Sequence, residues 1–201
     1  NPLLLAALNI YNGIMHEEAK DLPTIKKFTV LSEQEIDRIE TLVQNLLKIT
    51  KLDAGTIMIE KAVENVSEMM GSIEKHFSFR AKQEKKEIYL SGNNDVTLLC
   101  DRNWLLEAIS NIVKNAFDHT QKGNEIRIEW KQFASVVQVI IKDNGSGIHP
   151  EDLHHIFKRF YRSRFSKDTQ GIGLGLPLAK AIVGAHSGTI EVDSELGTGT
   201  A

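Results

Sequence analysis

Apolar side chains return at three- and four-residue steps along the first fifty residues. Leu4, Leu8, Tyr11 and Met15 fall on one face of a first helix, and the polar run from His16 to Asp21, with Pro23, predicts a short connection. In a longer second helix Ile25, Phe28, Ile36, Ile39, Val43, Leu46 and Ile49 recur at helical steps, while Glu33, Asp37, Arg38 and Glu40 lie elsewhere. Two helices offer too little partner surface to bury such a seam. Two chains pairing into a four-helix bundle would bury it; the alternative is a hairpin packed on the chain's own second domain. Lys51-Leu52-Asp53-Ala54-Gly55 puts glycine where a helix stops. The domain boundary is therefore placed there, with a hairpin over residues 1–54 and a second domain over 55–201.

The period then changes. A short strand is expected over Thr56 to Glu60, then an amphipathic helix carrying Val63, Val66, Met70, Ile73 and Phe77, then strands near Glu87 to Ser91 and Val96 to Cys100. Asp101 suits the N-cap of a helix running to about His119. Ile126 to Trp130 alternates, and Val136, Val137, Val139, Ile140 and Ile141 read as a buried strand. A short helix is expected near Pro150 to Ile156. Tyr161 to Gln170 is basic and without pattern, and the glycine run from Gly171 opens a helix to about Ser187, with Pro177 tolerated in its first turn. Strands and helices mix without strict alternation. The expected fold is α+β: an antiparallel helical hairpin, then an α/β sandwich of one mixed sheet with helices on one face.

Chemistry gathers where that strand ends, at Lys142-Asp143-Asn-Gly145-Ser-Gly147-Ile148. A carboxylate followed by glycines two and four residues on lets backbone approach a flat ligand while Asp143 accepts its hydrogen bonds, which suits a purine amino group; an ordinary hairpin turn is written the same way. Asn111 and Asn115 share a helix face, and an Asn carbonyl oxygen is a hard ligand fit for Mg²⁺. Gly171, Gly173 and Gly175 free backbone N–H groups at a helix N-terminus, a site for phosphate, and Arg162, Arg164 and Lys167 precede them.

Composition narrows the partners. A formal charge of -3 over 201 residues gives nucleic acid no electrostatic footing. The single Cys100 excludes an intrachain disulfide and fits a reducing compartment, and no apolar run approaches a membrane span. A cytosolic piece with both ends cut is expected.

Together these segments resemble the sensor histidine kinases of bacterial two-component systems, with their GHKL-type ATP-binding domain. The resemblance rests on Asn111-Ile-Val-Lys-Asn115-Ala-Phe-Asp118-His119-Thr120, Asp143-Asn-Gly145-Ser-Gly147-Ile148, Phe157-Lys-Arg-Phe160-Tyr161, Gly171 to Leu176, and Gly197-Thr-Gly199-Thr, all in the family's order and spacing. Asp37-Arg38-Ile39 through Leu52-Asp53-Ala54-Gly55 is similar to the second helix of the family's dimerisation hairpin. The resemblance implies ATP and Mg²⁺ as cofactors, with Asn115 ligating the metal, Asn111 supporting it and Asp143 binding the adenine amino group. His119 would pack near the base. Gly171, Gly173 and Gly175 would hinge a lid over the phosphates, Phe157 and Phe160 would anchor its other end, and Leu174 and Arg164 would belong to the nucleotide site. Asp118 stands where many relatives carry a basic residue.

The resemblance further implies a homodimer through the hairpin, a cognate response regulator as partner, and the cytoplasmic portion of an inner-membrane receptor whose membrane segments lie upstream. The phosphate-accepting histidine of the family's His-acid-x-x-Asn/Thr-Pro pattern is expected outside this sequence: just before Asn1-Pro2, with Asn1 as the phosphatase-type residue, or, aligned by Leu8-Asn9-Ile10-Tyr11, with Pro2 two residues too early for that pattern. His16 lies near the hairpin turn, far from the acceptor level. A GHKL-type ATPase would place a Glu where Asn111 stands, with Glu107 one turn further back. An anti-sigma serine kinase has no need of the hairpin, and a nucleotide-binding dimeric scaffold is the other alternative. A dinucleotide-binding reading of the glycines fails, because polar Ser166 to Gln170 precedes them where a strand is required.

Overall fold

The structure, a computed structural model, describes residues 2–18, 22–163 and 172–201. The chain divides into two compact units, Asn1–Lys48 and Ile49–Ala201.

The first unit is built from helix α1 (Pro2–Glu18) and the greater part of helix α2 (Pro23–Asp53). Within it the polar side chains Asn12 and Thr29 are buried. Asn12 Nδ2 donates to the Thr29 carbonyl, and Thr29 Oγ1 donates to the Lys26 carbonyl at 2.8 Å. With its one proton spent, that hydroxyl accepts from His16 Nδ1 at 2.8 Å. The apolar face stays outside: Leu8, Tyr11, Met15, Ile25, Phe28 and Ile39 are all exposed. Helix α2 stops as its sequence directs. Gly55 takes φ 63°, its N–H reaches the Leu52 carbonyl, and the Thr56 N–H reaches that of Lys51, each at 3.0 Å.

In the second unit follow β1 (Ala62–Asn65), α3 (Val66–Glu84), β2 (Glu87–Gly92), β3 (Thr97–Cys100), α4 (Arg102–His119), β4 (Glu125–Phe133), β5 (Val136–Asp143), α5 (Pro150–Leu153), α6 (Gly175–Ala185), β6 (Ser194–Glu195) and β7 (Gly199–Thr200). The main sheet has the order β2-β4-β5-β7-β6, with β2 parallel to β4 and the other pairs antiparallel, so it is mixed as expected. Alternation along β4 buries Ile126, Ile128 and Trp130 and turns Arg127, Glu129 and Lys131 outward. The buried row meets Met69, Met70, Ile73 and Phe77 of α3 and Ile109, Val113 and Phe117 of α4 in one core. Phe77 and Phe117 stack at its centre, their rings 5.3 Å apart.

Several expected boundaries move. The strand expected over Thr56 to Glu60 forms at β1 instead, where Val63 pairs with Leu99 of β3 in a separate two-stranded ribbon. That ribbon ends at the Ala62–Cys100 pair because β3 gives way to Asp101, whose carboxylate takes the Glu60 N–H at 3.1 Å. Val63 is thereby a strand residue, and α3 starts at Val66 behind the N-cap Asn65, whose side chain accepts from the Glu68 N–H. Helix α5 stops at Leu153, before Ile156, and α6 begins at Gly175.

Candidate functional site

Helix α4 supplies the wall on which the candidate residues meet. Its N-cap Asp101 accepts from the N–H groups of Asn103 and Trp104, and its apolar stripe locks it into the core. The opposite stripe carries Asn111, Asn115 and His119, one turn apart each, so Asn111 and His119 are separated by about 12 Å along the axis. At the Asn111 end stands Gly175, the first residue of α6; a Cβ built there would lie 3.0 Å from Asn111 Oδ1. At the His119 end the loop after β5 passes under the helix. The Ser146 N–H donates to the His119 carbonyl at 3.1 Å, and a Cβ on Gly145 would stand 2.4 Å from the same oxygen. Only glycine permits that approach.

Asp143 ends β5 beside this contact. Its Oδ1 accepts the Gly145 N–H at 2.9 Å. Burial pushes its carboxyl above the ordinary value, against the Gly145 N–H, the charge of His119 and the Thr200 N–H, which pull it down. Gly147 (φ 65°) passes against the Glu195 carbonyl, and Gly199 (φ 131°) against the carbonyl of Asp143 itself. Both glycines are required by backbone sign and by space.

Residues that pattern alone did not mark hold this loop in place. Asn144 Oδ1 accepts from the Glu125 N–H at 2.8 Å and from Asn124 Nδ2 at 2.9 Å, and Ser194 Oγ accepts from the Ile148 N–H at 2.9 Å. Asn144 reads in sequence as a turn residue; its partners lie in other segments and leave no local signal.

Asn115 is half-buried, and among the described residues its side chain makes no hydrogen bond. Asn111 donates Nδ2 to the Glu107 carbonyl at 2.9 Å, which leaves Oδ1 turned to Gly175. Two amide oxygens not engaged by donors on α4 form a donor set that fits a hard divalent cation such as Mg²⁺. Asp118 points elsewhere: it binds Arg80 of α3 at 2.7 Å and Lys114 at 2.6 Å, and so is spent on an ion-pair network. Glu84 joins the network through Arg80 and Lys86. Although burial would raise its carboxyl, the hydrogen bonds from these two cations hold it below its usual range.

Phe160 (φ 62°) donates its N–H to the Gly173 carbonyl at 2.9 Å, so the Phe157–Tyr161 segment and the glycine run are joined here. Leu174 is buried at the head of α6, and Phe157 lies under Lys180, whose Nζ stands 5.1 Å from the ring centre. Asn1, Arg164, Lys167 and Gly171 fall outside the described residues. A surface hollow of about 710 Å³ lies at the far end of the sheet beside Gly92 and Phe133 and carries none of these groups.

Residues 100–201 match the family of histidine kinase-, DNA gyrase B- and HSP90-like ATPases, and the chain belongs to that family. Over 198 residues it is 29% identical to the sensor histidine kinase YvrG of Bacillus subtilis, covering 96% of this chain and 34% of that protein. In fold it is similar to ShkA solved with AMPPNP (TM-score 0.76, 23% identity, 100% of this chain and 44% of that one). It is also similar to the histidine kinase ThkA solved with the response regulator TrrA (TM-score 0.71, 22% identity, 100% and 55%). The chain spans about a third of the length of the curated relatives it matches.

Proposed function

We propose that this chain is the nucleotide-binding and dimerising part of a sensor histidine kinase of a two-component system. Such a kinase moves the γ-phosphoryl of ATP to a histidine nitrogen and then to an aspartate of a response regulator. One observation carries the reading: along α4, Asn111 meets Gly175, Asn115 lies between, and Asp143 with Gly145 sits beneath His119. That span suits a nucleotide with its base at the Asp143 end and its phosphates at the Gly175 end. Similarity to YvrG supports the kinase, the AMPPNP held by ShkA supports ATP, and the TrrA bound to ThkA supports a response regulator as partner.

In this reading Asp143 accepts from the adenine amino group, Gly145 and Gly147 let the backbone close on the ring, and His119 packs beside it. Gly173, Leu174 and Gly175 direct backbone N–H groups at the phosphates, and Gly171 and Arg164, outside the described residues, are assigned to the phosphate side by the resemblance alone. Asn115, with Asn111 in support, would hold Mg²⁺ through amide oxygens. When bound, the ion supplies charge neutralisation across the phosphate oxygens. The transition state of phosphoryl transfer is loose, so the chain's contribution is positioning and electrostatics. An ATPase is less well supported, because Asn111 stands where a water-activating carboxylate would be needed and its amide is bound to the Glu107 carbonyl.

Residues 1–54 are proposed as the dimerisation and phosphotransfer hairpin and 55–201 as the catalytic domain. The exposed face of Leu8, Tyr11, Met15 and Phe28 supports a homodimer through the hairpin. Among the described residues no helix is long and apolar enough to cross a membrane. Attachment to an inner-membrane receptor is proposed through other segments of that protein. Nucleotide binding with and without Mg²⁺ tests the site: Asn115→Ala should weaken the Mg²⁺-dependent component selectively. Equal losses in both conditions would remove the metal-ligand role.

A further inference from the structure

The N-terminus of α4 leaves one donor that its own sequence does not satisfy. The N-cap Asp101 spends its carboxylate on the N–H groups of Asn103, Trp104 and Glu60. Its own N–H would ordinarily be taken back by a Glu or Gln at the third helical position, but that position is Trp104, which has no acceptor. The N–H goes instead to Nε2 of His186, 3.0 Å away at the C-cap of α6. The other ring nitrogen of His186 lies 2.8 Å from the Ile182 carbonyl, which can only accept. The two partners together fix the proton: Nδ1 carries it, and Nε2 presents its lone pair.

Helix α6 packs along α4 through its buried residues Leu178, Ala179 and Ile182. At its C-terminal end His186 fastens it to the first cap of α4, and at its N-terminal end Gly175 lies beside the amide of Asn111. A Cβ at Gly175 would stand 3.0 Å from Asn111 Oδ1, so this end of α6 lies beside that amide, and an axial slip of α6 would change the spacing between them.

We propose that His186 is a positioning residue for nucleotide binding: as a neutral, Nδ1-protonated imidazole it sets the register of α6 on α4, and with it the placement of Gly175 relative to Asn111 and Asn115. The proposal rests on the nucleotide reading of the site. It requires an acceptor at the ring's outer nitrogen, which Gln can supply from its amide oxygen and Phe cannot.

The test combines ring-nitrogen NMR of histidine-labelled chain with Mg-ATP dissociation constants of wild type, His186→Gln and His186→Phe, each checked for folding by its thermal transition. At neutral pH the signals lost in His186→Gln should be one pyrrole-type Nδ1 and one pyridine-type Nε2. Gln should keep the wild-type affinity, and Phe should weaken it by about threefold to tenfold, the worth of one hydrogen bond. An Nε2-protonated ring, or equal affinities in the Gln and Phe variants, overturns the proposal. A wild-type chain that binds no ATP overturns the nucleotide reading and the positioning role with it, while the ring-nitrogen signals report separately on the clamp.

Discussion

In the proposed nucleotide site Asp143 is a carboxylate whose environment opposes its own charge. Burial raises its pKa despite the Gly145 N–H, His119 and the Thr200 N–H. The folded state thus holds the proton more tightly than the unfolded chain does. Ionised Asp143 therefore costs stability: the cost is absent below the unfolded carboxylate range and fully present once the pH exceeds the folded value. Asp143→Asn removes the charge and keeps the shape, so its thermal midpoint should exceed that of the wild type at pH 7, with the gap closing as the pH falls below the carboxylate range. The same variant should bind ATP at least about tenfold more weakly, since the adenine amino group loses a charged acceptor. A variant less stable at pH 7 than the wild type would contradict the burial argument, and unchanged affinity would remove the adenine contact. Asp118 serves the fold through ion pairs. Its bonds to Arg80 and Lys114 are partly exposed, so Asp118→Ala is expected to cost only about 1 kcal/mol in denaturant unfolding, with nucleotide affinity little changed.

At the scale of elements, what the sequence made legible was what local rules write locally. Helix α4 begins behind Asp101, α2 ends at Gly55, and β4 and β5 fall on alternating or continuous apolar runs, because caps and periodicity act within a few residues. The displaced strand shows the limit. Thr56 to Glu60 carries a strand-like composition, yet pairing is decided by the length of β3 and by the Asp101 carboxylate, and both come from another part of the chain. The site divides in the same way. Asp143, Gly145, Asn111 and Asn115 announce themselves by spacing, whereas Asn144, Ser194 and His186 act through partners distant in sequence. The end of α3 departs from the usual chemistry. Lys85 sits in the left-handed region (φ 53°) at the C-terminus of α3, where its N–H and that of Lys86 close the last turn on Lys82 and Ala81. Glycine relieves that conformation, so Lys85→Gly should raise the unfolding free energy by about 0.5–1 kcal/mol. A loss of stability in equilibrium denaturation would mean that the lysine side chain contributes more than its backbone costs.

Taken whole, the molecule joins a helical unit with an exposed apolar face to a mixed-sheet unit of the ATPase family. The inward side of the hairpin is partly polar, with Asn12 and His16 each bonded to Thr29, and the outward apolar residues are the surface on which the proposed homodimer would form. Replacing Leu8 and Tyr11 together with Ser should shift the chain toward monomer in sedimentation while leaving ATP affinity intact. An unchanged oligomeric state would place the interface elsewhere. The proposed kinase reading, as against a hydrolase, is best tested by titrating the chain with Mg-ATP while counting released phosphate in the same sample. Saturable binding with almost no phosphate release is expected, because no carboxylate stands at Asn111 to activate water. Steady turnover would contradict it in favour of an ATPase, and absence of binding would contradict the nucleotide site itself.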